Sequence, residues 1–320
     1  MSFAYIRNAI FACSLMFAVA GAAQTYPDKP IRVVTGGIGG GADFTLRLIA
    51  PGISGLLGQQ VIVDNRPSGV IPGQIVSQAA PDGYTLLLYG NTFWIGPYMQ
   101  ETPYDVLKDF LPISLTNTAP LVLVVHPALP ARSVGELIAL AKAKPGTLNF
   151  ASVGEGGSGH LAGELFKTMA GIDIVRINYK GSADALNALI GGQVQIMFPI
   201  AAEAAPHIKS GRLRALAVAS ASPSMLAPGL PTVAASLPGY VSGTEHGFFA
   251  PANTPAAIVN LLHRETVRFL NRAEVKEKLF NLGLDLVASS PDELAASMKS
   301  DMARMGKVLK DAGIAAEQTQ

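Results

Sequence analysis

The sequence predicts an α/β protein built as two lobes, each a mostly parallel sheet flanked by helices. Short apolar strand patterns alternate with helical patterns in two separate clusters, and a long helical tail follows the second. The composition suits packed cores: 49% of the 320 residues are hydrophobic and 15% charged, which places the chain outside the disordered class. A formal net charge of +1 offers no basic surface for nucleic acid, and no block of like charge forms a tail.

The chain opens with an export pattern. Arg7 lies in a short polar start, residues 9–20 (AIFACSLMFAVA) are almost wholly apolar, and Gly21, Ala22 and Ala23 are small. These are the parts of a secretory signal peptide, expected over residues 1–23. The apolar stretch falls short of the ~20 residues that span a membrane. Cys13, the only cysteine, lies inside it, so the mature chain is expected to carry no disulfide and no cysteine-ligated metal. A lipoprotein reading fails because Cys13 stands early in the apolar segment, behind Ile10-Phe11-Ala12.

The first cluster reads as strand 31–35, helix 43–57, strand 61–64, helix 71–80 and strand 84–88, the last entered by the turn Pro81-Asp82-Gly83. Strands separated by single helices make parallel units, because parallel neighbours need a crossover. The second cluster has strands at 121–125, 148–151, 174–177, 194–198 and 213–219. Helices at 159–170, 183–190 and 201–209 lie between them, and Ser133-x-x-Glu136 is a capping box for a helix running to Lys144. After a Pro-, Ser- and Gly-rich stretch comes the strand Gly247-Phe248-Phe249-Ala250. Thr254-Pro255 and Ser290-Pro291-Asp292-Glu293 then mark helix starts in the tail. The expected lobes are residues 24–122 with 247–320, and residues 123–246, with crossings near Val122 and Phe248 and the tail returning to the first lobe.

Three loops stand at carboxyl ends of strands and lead into helices, the edge where open α/β sheets bind ligands. The first is Gly36-Gly37-Ile38-Gly39-Gly40-Gly41-Ala42-Asp43. The second runs from Ser152 through Gly154, Glu155, Gly156, Gly157 and Ser158 to His160, and the third is Asn178-Tyr179-Lys180-Gly181-Ser182. Glycines let backbone approach a ligand closely, and free amides at a helix start attract an anion. The ligand-binding candidates are therefore Gly39, Gly40, Gly41 and Asp43; Ser152, Gly156, Gly157, Ser158 and His160; and Asn178, Tyr179 and Asp184. Asn91, Thr92 and Trp94 after the third strand, and Phe198 at the end of strand 194–198, complete the set. Phe93 and Trp94 read equally well as pocket lining or as core aromatics. Asp184 is either first-turn helix charge or a ligand acceptor, and Lys180 suits a solvated loop.

Other chemistries meet these residues poorly. Gly37-x-Gly39-x-x-Ala42 satisfies a loose dinucleotide pattern, but Asp64, the candidate ribose-binding acid, runs into Asn65-Arg66-Pro67. Ser158 lacks the G-x-S-x-G setting of a hydrolase, since His160 takes the last glycine's place. His126, His160, His207, His246 and His263 are scattered without metal-ligand spacing. No catalytic residue, metal or cofactor is expected. An exported esterase and a periplasmic ligand sensor remain the alternatives to a binding protein.

Taken together these residues resemble the substrate-binding proteins of tripartite tricarboxylate transporters, the Bug family. The resemblance rests on Tyr26-Pro27-x-Lys29-Pro30-Ile31, Leu57-Gly58-Gln59, Val63-Asp64-Asn65-Arg66-Pro67, Pro81-Asp82-Gly83-Tyr84-Thr85 and Tyr104-Asp105-x-x-Lys108-Asp109-Phe110. The second half adds His160-Leu161-Ala162-Gly163-Glu164-Leu165-Phe166, Tyr179-Lys180-Gly181, Gly211-x-Leu213-Arg214-Ala215-Leu216-Ala217-Val218 and Phe249-Ala250-Pro251-Ala252-x-Thr254-Pro255. It implies a type II periplasmic binding fold, two lobes that close on a small carboxylate, and delivery to separate transporter proteins in the membrane. By the same resemblance, amides and waters at the first two loops clamp carboxylates, and Asp43 reads substituents. The chain departs from the family at Gly36-Gly37-Ile38, at Ser68-Gly69-Val70-Ile71 and at Asn178, so ligand identity does not carry over.

Overall fold

The structure is a computed structural model that describes residues 26–38, 41–67, 69–153 and 156–311. The expected signal peptide and the candidate glycines Gly39 and Gly40 lie outside these described residues. Within them, two mixed sheets are flanked by ten α-helices.

The first sheet grows from β1 (Ile31–Thr35), α1 (Gly41–Leu57), β2 (Val61–Asn65), α2 (Ile71–Ser77), β3 (Thr85–Gly90) and the short α3 (Thr92–Ile95). β1 is flanked in parallel by β2 and β3, with Val33 opposite both Val63 and Leu86. The runs Val33-Val34 and Leu86-Leu87-Leu88 are apolar at successive positions because both faces of the sheet are covered. Ile31, Val33, Leu86 and Leu88 pack with Leu46 and Ile49 of α1, while Val34 and Leu87 pack with Val76 of α2 and Phe93 and Trp94 of α3.

The next strand, β4 (Phe110–Pro120), escapes the sequence pattern entirely. Pro112 and Pro120 argue against a strand, and Ser114, Thr116 and Asn117 interrupt its apolar character. Those polar side chains are nonetheless buried and bonded: Ser114 Oγ donates to the Ser289 carbonyl at 2.8 Å, and Thr116 Oγ1 to the His246 carbonyl at 2.9 Å. Pro112 falls at a register shift opposite Phe248 and Phe249, where a missing N–H is tolerated.

From Pro120 the chain passes through Leu121 into β5 (Val122–Val125) of the second sheet. There follow α4 (Val134–Ala143), β6 (Asn149–Val153), α5 (Ser158–Ala170), β7 (Val175–Tyr179), α6 (Ser182–Ile190), β8 (Ile196–Met197), α7 (Ala201–Lys209) and β9 (Arg214–Val218). The sheet order is β7-β6-β8-β5-β9. The chain then returns as β10 (Gly243–Pro251), followed by α8 (Ala256–Leu270), α9 (Ala273–Asn281), β11 (Asp285–Leu286) and α10 (Pro291–Asp311), which completes a first sheet of order β11-β4-β10-β3-β1-β2.

The expectation of mostly parallel sheets needs correction. Parallel pairing is confined to β1 with β2 and β3, and to β6 with β7 and β8. β4, β5, β9, β10 and β11 pair antiparallel, because strands arriving from the other sheet or from the tail are not bound by a crossover helix.

Capping follows the sequence at two helices and not at a third. Ser133 Oγ accepts from Glu136 N–H at 3.2 Å, and Ser290 and Glu293 cap each other reciprocally. Thr254 instead donates to the Pro251 carbonyl at 2.8 Å, and α8 starts two residues later. In the tail, α8 packs Val259 and Leu262 against the α1 face of the first sheet. Leu294, Met298 and Met305 of α10 share one core with Trp94 and with Leu161 and Leu165 of α5, so this helix joins the two sheets.

Candidate functional site

A cavity of ≈ 210 Å³ opens at the carboxyl edge of the second sheet. Ser152 and Val153 end β6 there, Gly157, Ser158 and Gly159 open α5, Ser182 opens α6, and Phe198, Pro199, Ile200 and Glu203 lead into α7. Three helix N-termini thus meet at one small space. Each brings unpaired first-turn N–H groups and the positive end of its dipole, which together favour an anion. No lysine or arginine lies among the described residues that line it.

Local sequence explains the shape. Gly156 has φ +68°, a left-handed conformation open to glycine, and a Cβ there would meet the Met99 side chain of the first lobe at 2.7 Å. Gly159 comes so close to β8 that an added Cβ would lie 3.0 Å from the Phe198 carbonyl oxygen. His160 is fully buried, and its Nδ1 accepts the Gly156 N–H at 3.0 Å, tying the loop back to the helix it precedes. That bond leaves His160 Nδ1 no role as a base for Ser158. The hydroxyl of Ser152 accepts from Arg176 Nε at 2.8 Å on the edge strand β7.

The first glycine loop is built differently. Asp43, buried in the first turn of α1, accepts from Asn65 Nδ2 at 2.8 Å and from Arg47 Nε at 2.9 Å. Arg47 Nη2 donates to Asn65 Oδ1 at 2.8 Å and Asn65 Nδ2 to the Gly36 carbonyl at 2.9 Å, so the loop and the ends of β1 and β2 are bonded together. Behind Gly41 lies His246 of β10, whose Nδ1 is 2.9 Å from Asn117 Nδ2. A Cβ on Gly41 would press on its ring at 2.8 Å. Burial pulls the His246 imidazole down to about 4, so it is neutral at neutral pH.

A second cavity, ≈ 290 Å³, lies where the chain crosses between sheets. Its walls are Asn91, Pro120, residues 220–224, Ser242, Thr244, Glu245, Asp285, Asp301 and Arg304, and Ser158 borders both cavities. Asp301 accepts from the Trp94 indole N–H at 3.0 Å and pairs with Arg304. Burial, helped by the neighbouring Asp301, raises the Glu245 carboxyl above the ordinary range, against a hydrogen bond from Ser297. Asn91 ties α3 to β10 through its N–H to the Glu245 carbonyl at 2.9 Å and its Nδ2 to the Gly243 carbonyl at 3.1 Å.

The structure gathers Ser152, Gly157, Ser158 and Phe198 at one cavity and Asn91 with Ser158 at the other. It does not bring the remaining described candidates to either. Trp94 is fully buried in the first-lobe core against Phe249, its N–H spent on Asp301, so it is a core aromatic. Asn178 is exposed on the edge strand and accepts from Arg176, and Tyr179 packs against the core beneath α6 and α7. Asp184 is an exposed first-turn residue of α6, and Thr92 is the half-buried first residue of α3. Glu203 and Ile200 were missed because the loop after β8 has no glycine; its place at a strand's carboxyl end was the available signal. Glu245, Asp301 and Arg304 had no local signal. Among the described residues no cluster of three or more His, Cys, Asp or Glu is placed to hold a metal, and no helix is long and apolar enough to cross a membrane.

Two sheets joined by crossing strands, with one cavity at the carboxyl edge of the second sheet and another at the crossing, form the two-lobed architecture of a solute-binding protein. The model of the tripartite tricarboxylate transporter family receptor matches residues 45–314, and the chain belongs to this family. BugT of Bordetella pertussis is 35% identical over 311 residues, 95% of each chain. A Rhodopseudomonas palustris protein solved with adipate is 33% identical, with TM-score 0.76 over 91% of this chain and 99% of that one. A ligand-free TctC solute-binding protein from Polaromonas is 27% identical, with TM-score 0.82 over 90% and 100%. The family and these structural neighbours are binding proteins, not enzymes.

Proposed function

We propose that the chain is a periplasmic solute-binding protein that captures a small carboxylate between its lobes and delivers it to a tripartite tricarboxylate-type membrane transporter. The observation that carries the reading is the convergence of three helix N-termini on a cavity without lysine or arginine among its described lining residues. A carboxylate there is held by amides and dipoles, which bind an anion firmly yet release it without breaking an ion pair. Residues 1–23 direct export, and residues 24–122 with 247–320 close against 123–246. Closure is a population shift: the ligand binds one lobe, and contacts from the other stabilise the closed form. The ligand class is a dicarboxylate, an acidic amino acid or an aromatic acid, and the adipate-bound relative supports the first of these.

The test is thermal unfolding of mature, ligand-free protein against succinate, adipate, malate, citrate, aspartate, glutamate, benzoate and terephthalate. A ligand that binds only the folded state at ~100-fold saturation adds about 2.7 kcal/mol, a clear rise in melting temperature. No rise with any acid overturns the reading.

A further inference from the structure

Glu203 is the one titratable side chain among the described residues that line the second-sheet cavity. It stands in the first turn of α7, half-buried, and accepts a hydrogen bond from Ser182 at the start of α6. Its position among helix N-termini suits an anion, yet burial pushes its carboxyl above the ordinary range, and no cation of the described residues pairs with it. The cavity therefore already holds the kind of group it is built to receive. A ligand carboxylate entering so small a space comes within the ~4–6 Å over which one charge shifts its neighbour, and two unprotonated carboxylates repel there. A ligand avoids that repulsion by presenting a hydrogen-bond donor to Glu203 while its own carboxylate takes the free amides of α5.

We propose that Glu203 is a specificity-determining residue: it accepts a hydrogen bond from a hydroxyl or ammonium group next to the ligand carboxylate, and so selects α-substituted acids over bare dicarboxylates. The inference rests on the carboxylate-binding reading above and narrows its ligand class. With an unsubstituted acid, the Glu203 carboxylate loses water and keeps only Ser182 as a donor, which is why the preference is large for so small a chemical difference.

Calorimetric titration of the mature protein at pH 7.5 with malate, aspartate and succinate tests it. Malate carries the hydroxyl, aspartate the ammonium, and succinate neither. The expected result is that at least one of the first two binds about tenfold or more tightly than succinate. In Glu203→Gln the ratio collapses towards one, mainly through tighter succinate binding. A ratio unchanged in the variant, or a wild type that prefers succinate, overturns the role of Glu203 and leaves the carboxylate reading standing. Binding of none of the three to wild type overturns the role of Glu203, and the carboxylate reading falls with it only when the full thermal panel is also silent. Should Glu203→Gln lose its native circular dichroism, the wild type still decides: titrations in two buffers of different ionisation enthalpy count protons. Succinate then takes up a proton on binding and malate or aspartate does not; equal uptake overturns the proposal.

Discussion

The two glycine loops occupy equivalent edges of the two sheets and look alike in sequence, but they are held in opposite ways. The loop before α1 is braced from behind by side chains: Asp43, Arg47 and Asn65 bond to one another and to Gly36, and His246 fills the space under Gly41. Among the described residues of the loop before α5, Gly156 is tied to His160 and Ser152 to Arg176, while Gly157 and Ser158 border the cavity. The difference separates two jobs that a glycine loop can serve. A braced loop is a rigid wall, whereas an open one leaves its amides for a ligand. Damage to the first should therefore appear as lost stability, and damage to the second as lost binding.

The largest expected effect lies beneath the braced loop. The His246 imidazole falls from an ordinary 6.5 to about 4 in the fold, so the unfolded chain takes up a proton there first as pH drops. Stability is fully present above about pH 6.5 and is lost progressively down to about pH 4, by about 3 kcal/mol at the ~1.4 kcal/mol that each pKa unit represents. Urea unfolding at pH 7 and pH 4 measures this, and in His246→Gln that part of the pH dependence should vanish. An identical slope in the variant would show that the ring is not the proton's site.

Next comes Asn65→Ala, which strips two donors and an acceptor from the same wall. Leaving buried Asp43 with one partner fewer should cost about 1–3 kcal/mol in urea unfolding, with loosening of α1's first turn seen in hydrogen exchange. Gly156→Ala crosses from one region to the other. It forces a left-handed alanine, worth about 1–2 kcal/mol, and presses on Met99 from the other lobe, so it should lower both stability and carboxylate affinity. The smallest effect on folding is Ser158→Ala in the open loop. It should stay within about 0.5 kcal/mol of wild type while weakening ligand binding in the thermal-shift series. Intact binding in that variant would mean that the open loop works through backbone alone.

The sequence by itself determined most of the helices and the strands of the two βα clusters. The glycine loop reaching Ser158, the runs of β1 and β3, and the caps at Ser133 and Ser290 are local matters of period, propensity and first-turn bonding, which neighbours along the chain decide. Family membership was likewise legible, because motifs such as Asn65-Arg66-Pro67 and Tyr179-Lys180-Gly181 stand in order along the chain. Only the tertiary structure decided the rest. β4 is a strand because β10 and β11 pair with it on either side, and that pairing overrides its prolines and satisfies its buried serine and threonine. Trp94 belongs to the core because α10 brings Asp301 to its indole from more than two hundred residues away. Asn178 and Asp184 face outward because β7 is an edge strand and α6 turns its polar side to solvent. Glu203 acquired its setting from α5 and α6, whose N-termini reach the same cavity only once the sheet has formed. Burial and charge depend on which distant groups arrive, and no local pattern records that.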